Sequence, residues 1–182
     1  IGTVIRNLAR ELSQKGHFVV VAGFYPYLRK AKAYEEDSGV IVYRYFYGSW
    51  PMLKLSRHSI LGRLFNIRNQ FDSYIDKLRV LIREHRVDII EIPDFHEEFR
   101  FSGPKMIRYP SFEIPVVLKL HGSSTFLTYL REKSLIRDHV FVKESNLINN
   151  TPNIIAVSEF VREVSRRIFQ FSGDARVIYN GI

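Results

Sequence analysis

The sequence predicts an α/β fold, with a doubly wound sheet whose strands run mostly in parallel. Two observations predict it. Short apolar segments of strand length alternate with segments of helical period along the 182 residues. Several strand segments are apolar without interruption, for example "FVVVAGF" at 18–24, as is typical of strands covered on both faces. Strands that alternate with helices pair in parallel through right-handed crossovers, and the fold class follows from this order.

The first half of the chain is predicted to contain a helix, two strands and a second helix. Apolar residues recur at helical period through residues 3–15, and Gly16 then supplies the left-handed conformation that ends the helix. Strands are predicted at 18–24 and 39–47, followed by a loop rich in Ser, Pro and Gly. A long helix ending near His85 comes next. Its apolar face comprises Leu64, Phe65, Phe71, Tyr74, Ile75, Leu78, Leu81 and Ile82.

The second half is predicted to contain four strands. They lie at 87–92, 115–122, 153–158 and 175–180. A helix follows the second of these strands, capped from Ser123, Ser124 or Thr125, and Ser158 caps a further helix after the third strand. Residues 94–114 have no clear period and are interpreted as an irregular excursion.

Composition excludes several classes of protein. Apolar residues make up 46% and charged residues 25% of the chain, which is ordinary for a globular domain and argues against disorder. No apolar run approaches the roughly 20 residues that a membrane helix needs. Cysteine is absent, so disulfides and thiolate metal sites are excluded, and the sequence is compatible with a reducing, cytoplasmic location.

The chain is strongly basic, with a net charge of +8 and an isoelectric point near 9.8. This charge favours an anionic partner, such as a nucleic acid, a membrane surface or a phosphorylated ligand. The basic side chains of the predicted long helix fall largely off its apolar face, and form either a solvated face or a surface that docks on anionic lipid. They are Arg63, Arg68, Lys77, Arg79 and Arg83.

Ligands of open α/β sheets bind at the carboxyl ends of the strands, so candidate site residues are expected there. The residues at these ends are Gly23, Tyr47, Pro93, Asp94, His121, Gly122, Ser158, Asn180 and Gly181. No Gly-x-Gly-x-x-Gly or Gly-x-Ser-x-Gly segment occurs, which argues against a dinucleotide-dependent dehydrogenase and an α/β hydrolase. His96, Glu97 and Glu98 are consecutive and lack the spacing of metal ligands.

Four segments carry a family resemblance: "IGTVIRNLARELSQKGHFVVVAG", "VVLKLHGSS", "NIIAVSEFVRE" and "VIYNGI". In this order and spacing they resemble the N-terminal domain of a family 4 glycosyltransferase of GT-B architecture, over nearly the whole chain. The resemblance implies a Rossmann-like domain of a retaining, metal-independent enzyme. Such an enzyme transfers a sugar from a UDP- or GDP-sugar to a hydroxyl acceptor, either a glycan or a lipid-linked group. No Asp-x-Asp occurs, the metal motif of the other large glycosyltransferase fold, and neither a metal nor a cofactor is expected.

The resemblance also implies what surrounds these residues in the family. Residues 1–182 would form a single acceptor-side domain. A first strand would precede Ile1, and a donor-binding domain carrying a pair of carboxylates would follow Ile182. Because the catalytic cleft of such enzymes is assembled from two domains, residues 1–182 are expected to be inactive by themselves.

Each candidate site residue has a functional and a structural interpretation. By resemblance, His121 lies beside the donor sugar and is the candidate catalytic residue, although a lone histidine is otherwise more often structural. Gly2 opens a helix whose unpaired N–H groups suit the donor diphosphate, or it permits a tight turn. Ser158 binds the donor or caps its helix. Asp94 binds the acceptor or forms a turn.

Two further groups of residues leave alternatives open. Glu91 precedes a proline within a predicted strand and is either a buried carboxylate or an edge residue. Tyr43, Tyr45 and Tyr47 share one face of a strand by alternation. They form either a platform on which a sugar ring stacks or part of the core.

A different class of function also fits the charge of the chain. It is a non-catalytic α/β binding domain whose basic face recognises nucleic acid or an anionic membrane. Salt-sensitive binding to DNA, without binding of neutral glycans, would favour it. In the glycosyltransferase interpretation nucleic acid is not a partner, and the expected location is cytoplasmic, with peripheral contact to the cytoplasmic face of the membrane.

Overall fold

The computed structural model describes residues 2–25, 34–46, 74–94 and 111–180. The chain divides into two compact units, the first extending to Leu78 and the second running from Arg79 to Asn180. Several predictions lie outside the described residues. They concern Tyr47, the loop after it, the first part of the long helix with Arg63 and Arg68, most of the 94–114 excursion with His96, Glu97 and Glu98, and Gly181.

Up to residue 46, the described part of the first unit contains one helix and a three-stranded sheet. Helix α1 (Gly2–Gln14) is followed by strands β1 (Val19–Tyr25), β2 (Tyr34–Asp37) and β3 (Val40–Phe46). The strand order is β1-β3-β2. Strands β1 and β3 pair in parallel, as the predicted class requires, whereas β2 pairs with β3 antiparallel.

Strand β2 is absent from the sequence prediction, and its hairpin is the exception to parallel pairing. The two residues between Asp37 and Val40 both have positive φ, 56° at Ser38 and 77° at Gly39. A two-residue turn of this kind matches the twist of antiparallel strands. Asp37 also accepts hydrogen bonds of 2.7 and 2.9 Å from Arg10, so the hairpin is held against α1.

The second unit contains a four-stranded parallel sheet. Helix α2 comprises the described helical residues 74–84, and the boundary between the two units falls within it. The strands are β4 (Ile90–Pro93), β5 (Val116–Leu120), β6 (Asn153–Ala156) and β7 (Ala175–Val177), in the spatial order β4-β5-β6-β7. The intervening helices are α3 (Ser124–Glu132), α4 (His139–Asn150) and α5 (Glu159–Phe169). Every neighbouring pair in this sheet is parallel, and the predicted α/β class is confirmed.

The core of the second unit lies between its sheet and its helices. Helix α5 contacts β5, β6 and β7, and also α3 and α4. Four sheet residues are fully buried, which is why the strands read as apolar runs in the sequence. They are Leu118, Leu120, Ala156 and Ala175. Helix α4 was not predicted from the sequence, yet it buries Leu147, Ile148 and two charged side chains, Lys143 and Glu144.

Candidate functional site

The connection from β5 to α3 is a tight turn whose conformation depends on glycine. Strand β5 ends at Leu120, and His121, Gly122 and Ser123 lead into α3. Gly122 has a φ of +118°, and a Cβ atom there would lie 3.2 Å from the Phe126 ring. A residue with a side chain would therefore be strained in its backbone and crowded by its neighbour.

Asp94 follows β4 and holds this turn by its backbone. Its Oδ1 accepts a hydrogen bond from the His121 N–H at 3.0 Å, and its Oδ2 accepts one from the Gly122 N–H at 3.0 Å. The Asp94 N–H in turn donates to the carbonyl of Lys119 at 3.0 Å. Because β4 and β5 are adjacent and parallel, the residues that follow them meet at one edge of the sheet. Only 2% of Asp94 is exposed.

A second carboxylate, that of Glu144 on α4, holds the start of α3. Its Oε2 accepts from the Ser123 hydroxyl at 2.8 Å and from the Thr125 N–H at 3.0 Å, and its Oε1 accepts from the Ser124 N–H at 2.9 Å. The Ser123 hydroxyl also accepts from the Phe126 N–H at 3.3 Å. Of the three predicted caps for this helix, Ser123 is therefore the one used.

Both carboxylates are buried, and burial raises the pKa of each. The pKa of Asp94 rises to about 6, mainly through burial and in part through the negative charge of Glu144, while the N–H groups of His121 and Gly122 oppose the shift. Burial likewise raises the pKa of Glu144, and the groups of Ser123, Ser124 and Thr125 that bond to it oppose the shift. Hydrogen bonds from these donors offset the cost of burying two like charges near each other.

The imidazole of His121 is neutral under ordinary conditions. Burial, followed by the positive charge of Lys119, lowers the pKa of His121 to about 4. Lys119 lies on β5 with 6% of its surface exposed, and its Nζ is 3.5 Å from Oε1 of Glu91. A neutral imidazole carries one N–H donor and one acceptor nitrogen, so His121 is able to bond a hydroxyl group in both directions.

The structure brings three of the four predicted site residues to the second unit. Asp94 and His121 are joined directly by a hydrogen bond. Ser158 follows β6, the next strand, and its hydroxyl accepts from the Val161 N–H at 3.2 Å, which confirms its predicted role as the cap of α5. Gly2 is the exposed first residue of α1 in the first unit, with open space around the position of a Cβ. The predicted contact of Gly2 with the donor diphosphate stays a prediction.

The other candidates have structural partners. Glu91 is an edge residue rather than a buried carboxylate, since 41% of its side chain is exposed. The rings of Tyr43 and Tyr45 stack at 6.3 Å, and Tyr45 meets Tyr74 edge to face at 6.4 Å. Tyr43 and Tyr45 are half-buried, and their rings have aromatic partners within the unit. The sequence reasoning missed Lys119 and Glu144, because neither shows a motif and α4 itself was not predicted.

Within the described ranges, no group of three or more His, Cys, Asp or Glu side chains is arranged to hold a metal ion. Metal independence nevertheless stays a prediction. Among the helices of the same ranges, none is at once long and apolar enough to cross a membrane.

In open α/β sheets ligands bind at the carboxyl ends of the strands, and Asp94, His121 and Ser158 follow three neighbouring parallel strands here. The sequence model of Glycosyltransferase Family 4 matches residues 1–182, and the chain belongs to this family. The match confirms the resemblance carried by the four segments and makes the chain a glycosyltransferase domain. No curated protein is similar enough in sequence to be matched with it.

Proposed function

We propose that this chain is the acceptor-side domain of a retaining, metal-independent glycosyltransferase that moves a sugar from a UDP- or GDP-sugar to a hydroxyl acceptor. The observation that carries the proposal is the His121 turn. A neutral imidazole stands at the carboxyl edge of a parallel sheet, on a backbone held by Asp94. Such a group is suited to hydrogen bonds with sugar hydroxyls and unsuited to holding a phosphate by charge.

The remaining site residues take roles by family resemblance. Gly2, at the N-terminus of α1, faces the donor diphosphate, because helix N-termini attract anions. Ser158 caps α5 and lies near the donor. Asp94 remains a candidate acceptor contact, although both of its oxygens already accept backbone hydrogen bonds. The acceptor itself is a glycan or a lipid-linked group.

The proposal includes a second domain that supplies most donor contacts. In this scheme the nucleotide and most of the diphosphate are bound by that domain, and closure of the two domains excludes water from the cleft. Residues 1–182 alone would then transfer nothing. No metal or cofactor takes part.

The test is the substitution His121→Ala in the full-length enzyme. Loss of one positioned hydrogen-bond donor is expected to lower turnover by about 10²-fold or more, with little change in melting temperature. His139→Ala, at the exposed first residue of α4, is the control and should leave both quantities unchanged. An unchanged turnover with a large fall in melting temperature would show that His121 is structural.

One observation supports a second proposed property, peripheral contact with an anionic membrane at its cytoplasmic face. Residues 1–78 carry twelve Lys and Arg against six Asp and Glu, so most of the net charge of the chain lies there. Each basic residue near an anionic surface contributes about 1 kcal/mol to binding. Flotation with phosphatidylserine vesicles should show binding that falls with added salt, and binding to neutral vesicles should be absent.

The same charge would serve a non-catalytic domain that recognises nucleic acid. Binding to duplex DNA is therefore measured as well, in the same buffers and at the same salt concentrations as the flotation experiment. Salt-sensitive DNA binding, without transfer of sugar by the full-length protein, would favour this alternative over the glycosyltransferase.

A further inference from the structure

We propose that Asp94 and Glu144 are positioning residues for His121, and that the turn they hold presents the imidazole to an uncharged, hydroxyl-bearing part of a substrate. The inference rests on the proposed glycosyltransferase function. It adds two residues to the site, and it states the chemical class of the group that meets His121. Neither carboxylate has to touch a substrate for this role.

The two carboxylates hold one short segment from its two ends. Each residue of the segment 121–125 gives one hydrogen-bond donor. Asp94 accepts the first two donors, both at 3.0 Å, and Glu144 accepts the other three at 2.8 to 3.0 Å. One carboxylate comes from the end of β4 and the other from α4, so the position of the segment depends on two separate elements of the unit.

The acceptors that hold the segment 121–125 are carboxylates, which a helix start does not require. A helix start is ordinarily capped by a neutral hydroxyl or amide oxygen, or by an exposed Asp, and needs no buried charge. Hydrogen bonds to a carboxylate are shorter and about twice as strong as those between neutral groups, so this segment is held stiffly. Asp94 is only 2% exposed and Glu144 only 6% exposed. Their burial fits groups that support the site from behind rather than contact a substrate.

The same contacts decide what the start of α3 is able to bind. A helix N-terminus attracts phosphate through its unpaired N–H groups and the positive end of its dipole. The first two N–H groups of α3 are already bonded to Glu144, whose negative charge lies where a phosphate would otherwise bind. An uncharged hydroxyl group beside the neutral His121 is the ligand that fits this turn.

The first experiment is a double-mutant cycle in the full-length enzyme, with His121→Ala, Asp94→Asn and the double variant. Asparagine keeps one acceptor oxygen and turns an NH₂ group toward a backbone donor. Asp94→Asn should lower kcat by about tenfold or more with little change in either KM, because a small displacement of a catalytic group is costly. It should have no further effect in the His121→Ala background. The exposed Asp174→Asn is the control and should change neither constant.

Glu144→Gln is the second test, and it replaces the first if Asp94→Asn does not fold. It should also lower kcat, whereas Glu132→Gln, at the exposed end of α3, should not.

Inorganic phosphate is the probe for the ligand class. Titrating it into ¹⁵N-labelled protein should shift the amide signals of residues 124 and 125 in Glu144→Gln and leave them unchanged in the wild type.

Three outcomes would overturn the inference. A rise in acceptor KM with unchanged kcat would assign Asp94 to the acceptor, and additive losses in the cycle would separate it from His121. Phosphate shifts at residues 124 and 125 of the wild type would contradict the uncharged ligand. If His121→Ala alone leaves turnover unchanged, the proposed catalytic role of His121 fails instead. The amide signals of His121 and Gly122 in Asp94→Asn would then still show whether the carboxylate holds the turn.

Discussion

The carboxylate of Asp94 accepts a hydrogen bond from the backbone N–H of His121, so the residue after β4 holds the residue after β5. The contact uses the backbone of His121 and leaves both imidazole nitrogens out of it. The strand ends therefore hold the backbone that carries the ring, while burial and the charge of Lys119 lower the pKa of the ring.

The ionisation of His121 gives the first prediction. Its imidazole should stay neutral until the pH falls to about 4, because burial and the charge of Lys119 both disfavour the cation. The folded-state pKa lies below the ordinary 6.5, so the neutral ring contributes stability above pH 6.5 that is lost as the pH falls through about 4. Nuclear magnetic resonance titration of the ring protons measures this pKa directly.

The variant Lys119→Met separates the two causes. It should raise the pKa of His121 only part of the way to its ordinary value, since burial is the larger cause. Lys133→Met is the matched control, because Lys133 is exposed at the far end of α3, about 13 Å along the helix. A full return of the pKa to 6.5 in Lys119→Met would contradict the order of causes.

The second prediction concerns Asp94 and the pH dependence of stability. Its folded-state pKa of about 6 lies above the ordinary 3.8, so its contribution is fully present below about pH 4 and is lost as the pH rises through about 6. Asp94→Asn removes this titration. The variant should therefore lose more unfolding free energy, relative to the wild type, at pH 4.5 than at pH 7.5. Urea unfolding at the two pH values tests this, and a difference that does not change with pH would refute it.

Three glycine-to-alanine variants give the third prediction. Gly122→Ala combines a positive φ with a crowded Cβ and should cost about 2 kcal/mol or more of unfolding free energy. Gly16→Ala has a φ of +88° with open space around it, and should cost about 1 kcal/mol. Gly173→Ala has neither feature and should be nearly neutral. Equal losses at the first two positions would show that crowding by Phe126 is unimportant.

The two serine caps give the fourth prediction. Ser158→Ala removes one bond, to the Val161 N–H, and should cost about 1 kcal/mol of unfolding free energy. Ser123→Ala should cost more, because its fully buried hydroxyl both donates to Glu144 and accepts from Phe126. In the full-length enzyme, an increased donor KM in Ser158→Ala would indicate the proposed donor contact, and an unchanged KM would leave the cap as its only role.

Donor affinity of residues 1–182 alone gives the fifth prediction. A partly buried helix-dipole contact contributes up to about 2 kcal/mol, whereas millimolar affinity requires about 4 kcal/mol. Gly2 and His121 are the main donor contacts proposed for these residues, so UDP- and GDP-sugars should bind more weakly than millimolar. Calorimetry measures this, and micromolar binding would place the donor site within residues 1–182.

The sequence alone predicted the features that depend on residues close together along the chain. Alternation of apolar strands with amphipathic helices determined the α/β class and the parallel pairing of β4 to β7. The end of α1 at Gly16 and the cap at Ser158 were likewise predictable, because each involves backbone groups within one turn of a helix. The position of His121 at a strand end followed from the same patterns.

The tertiary structure decided what the site residues contact. Asp94 meets the N–H of His121 across 27 positions of sequence, and Glu144 meets Ser123 across 21 positions. Nothing in the local sequence around either carboxylate indicates such a partner, since the contact exists only when β4, β5 and α4 are packed together. The neutrality of His121 and the raised pKa of Asp94 also arise from that packing, because burial is the largest cause of both.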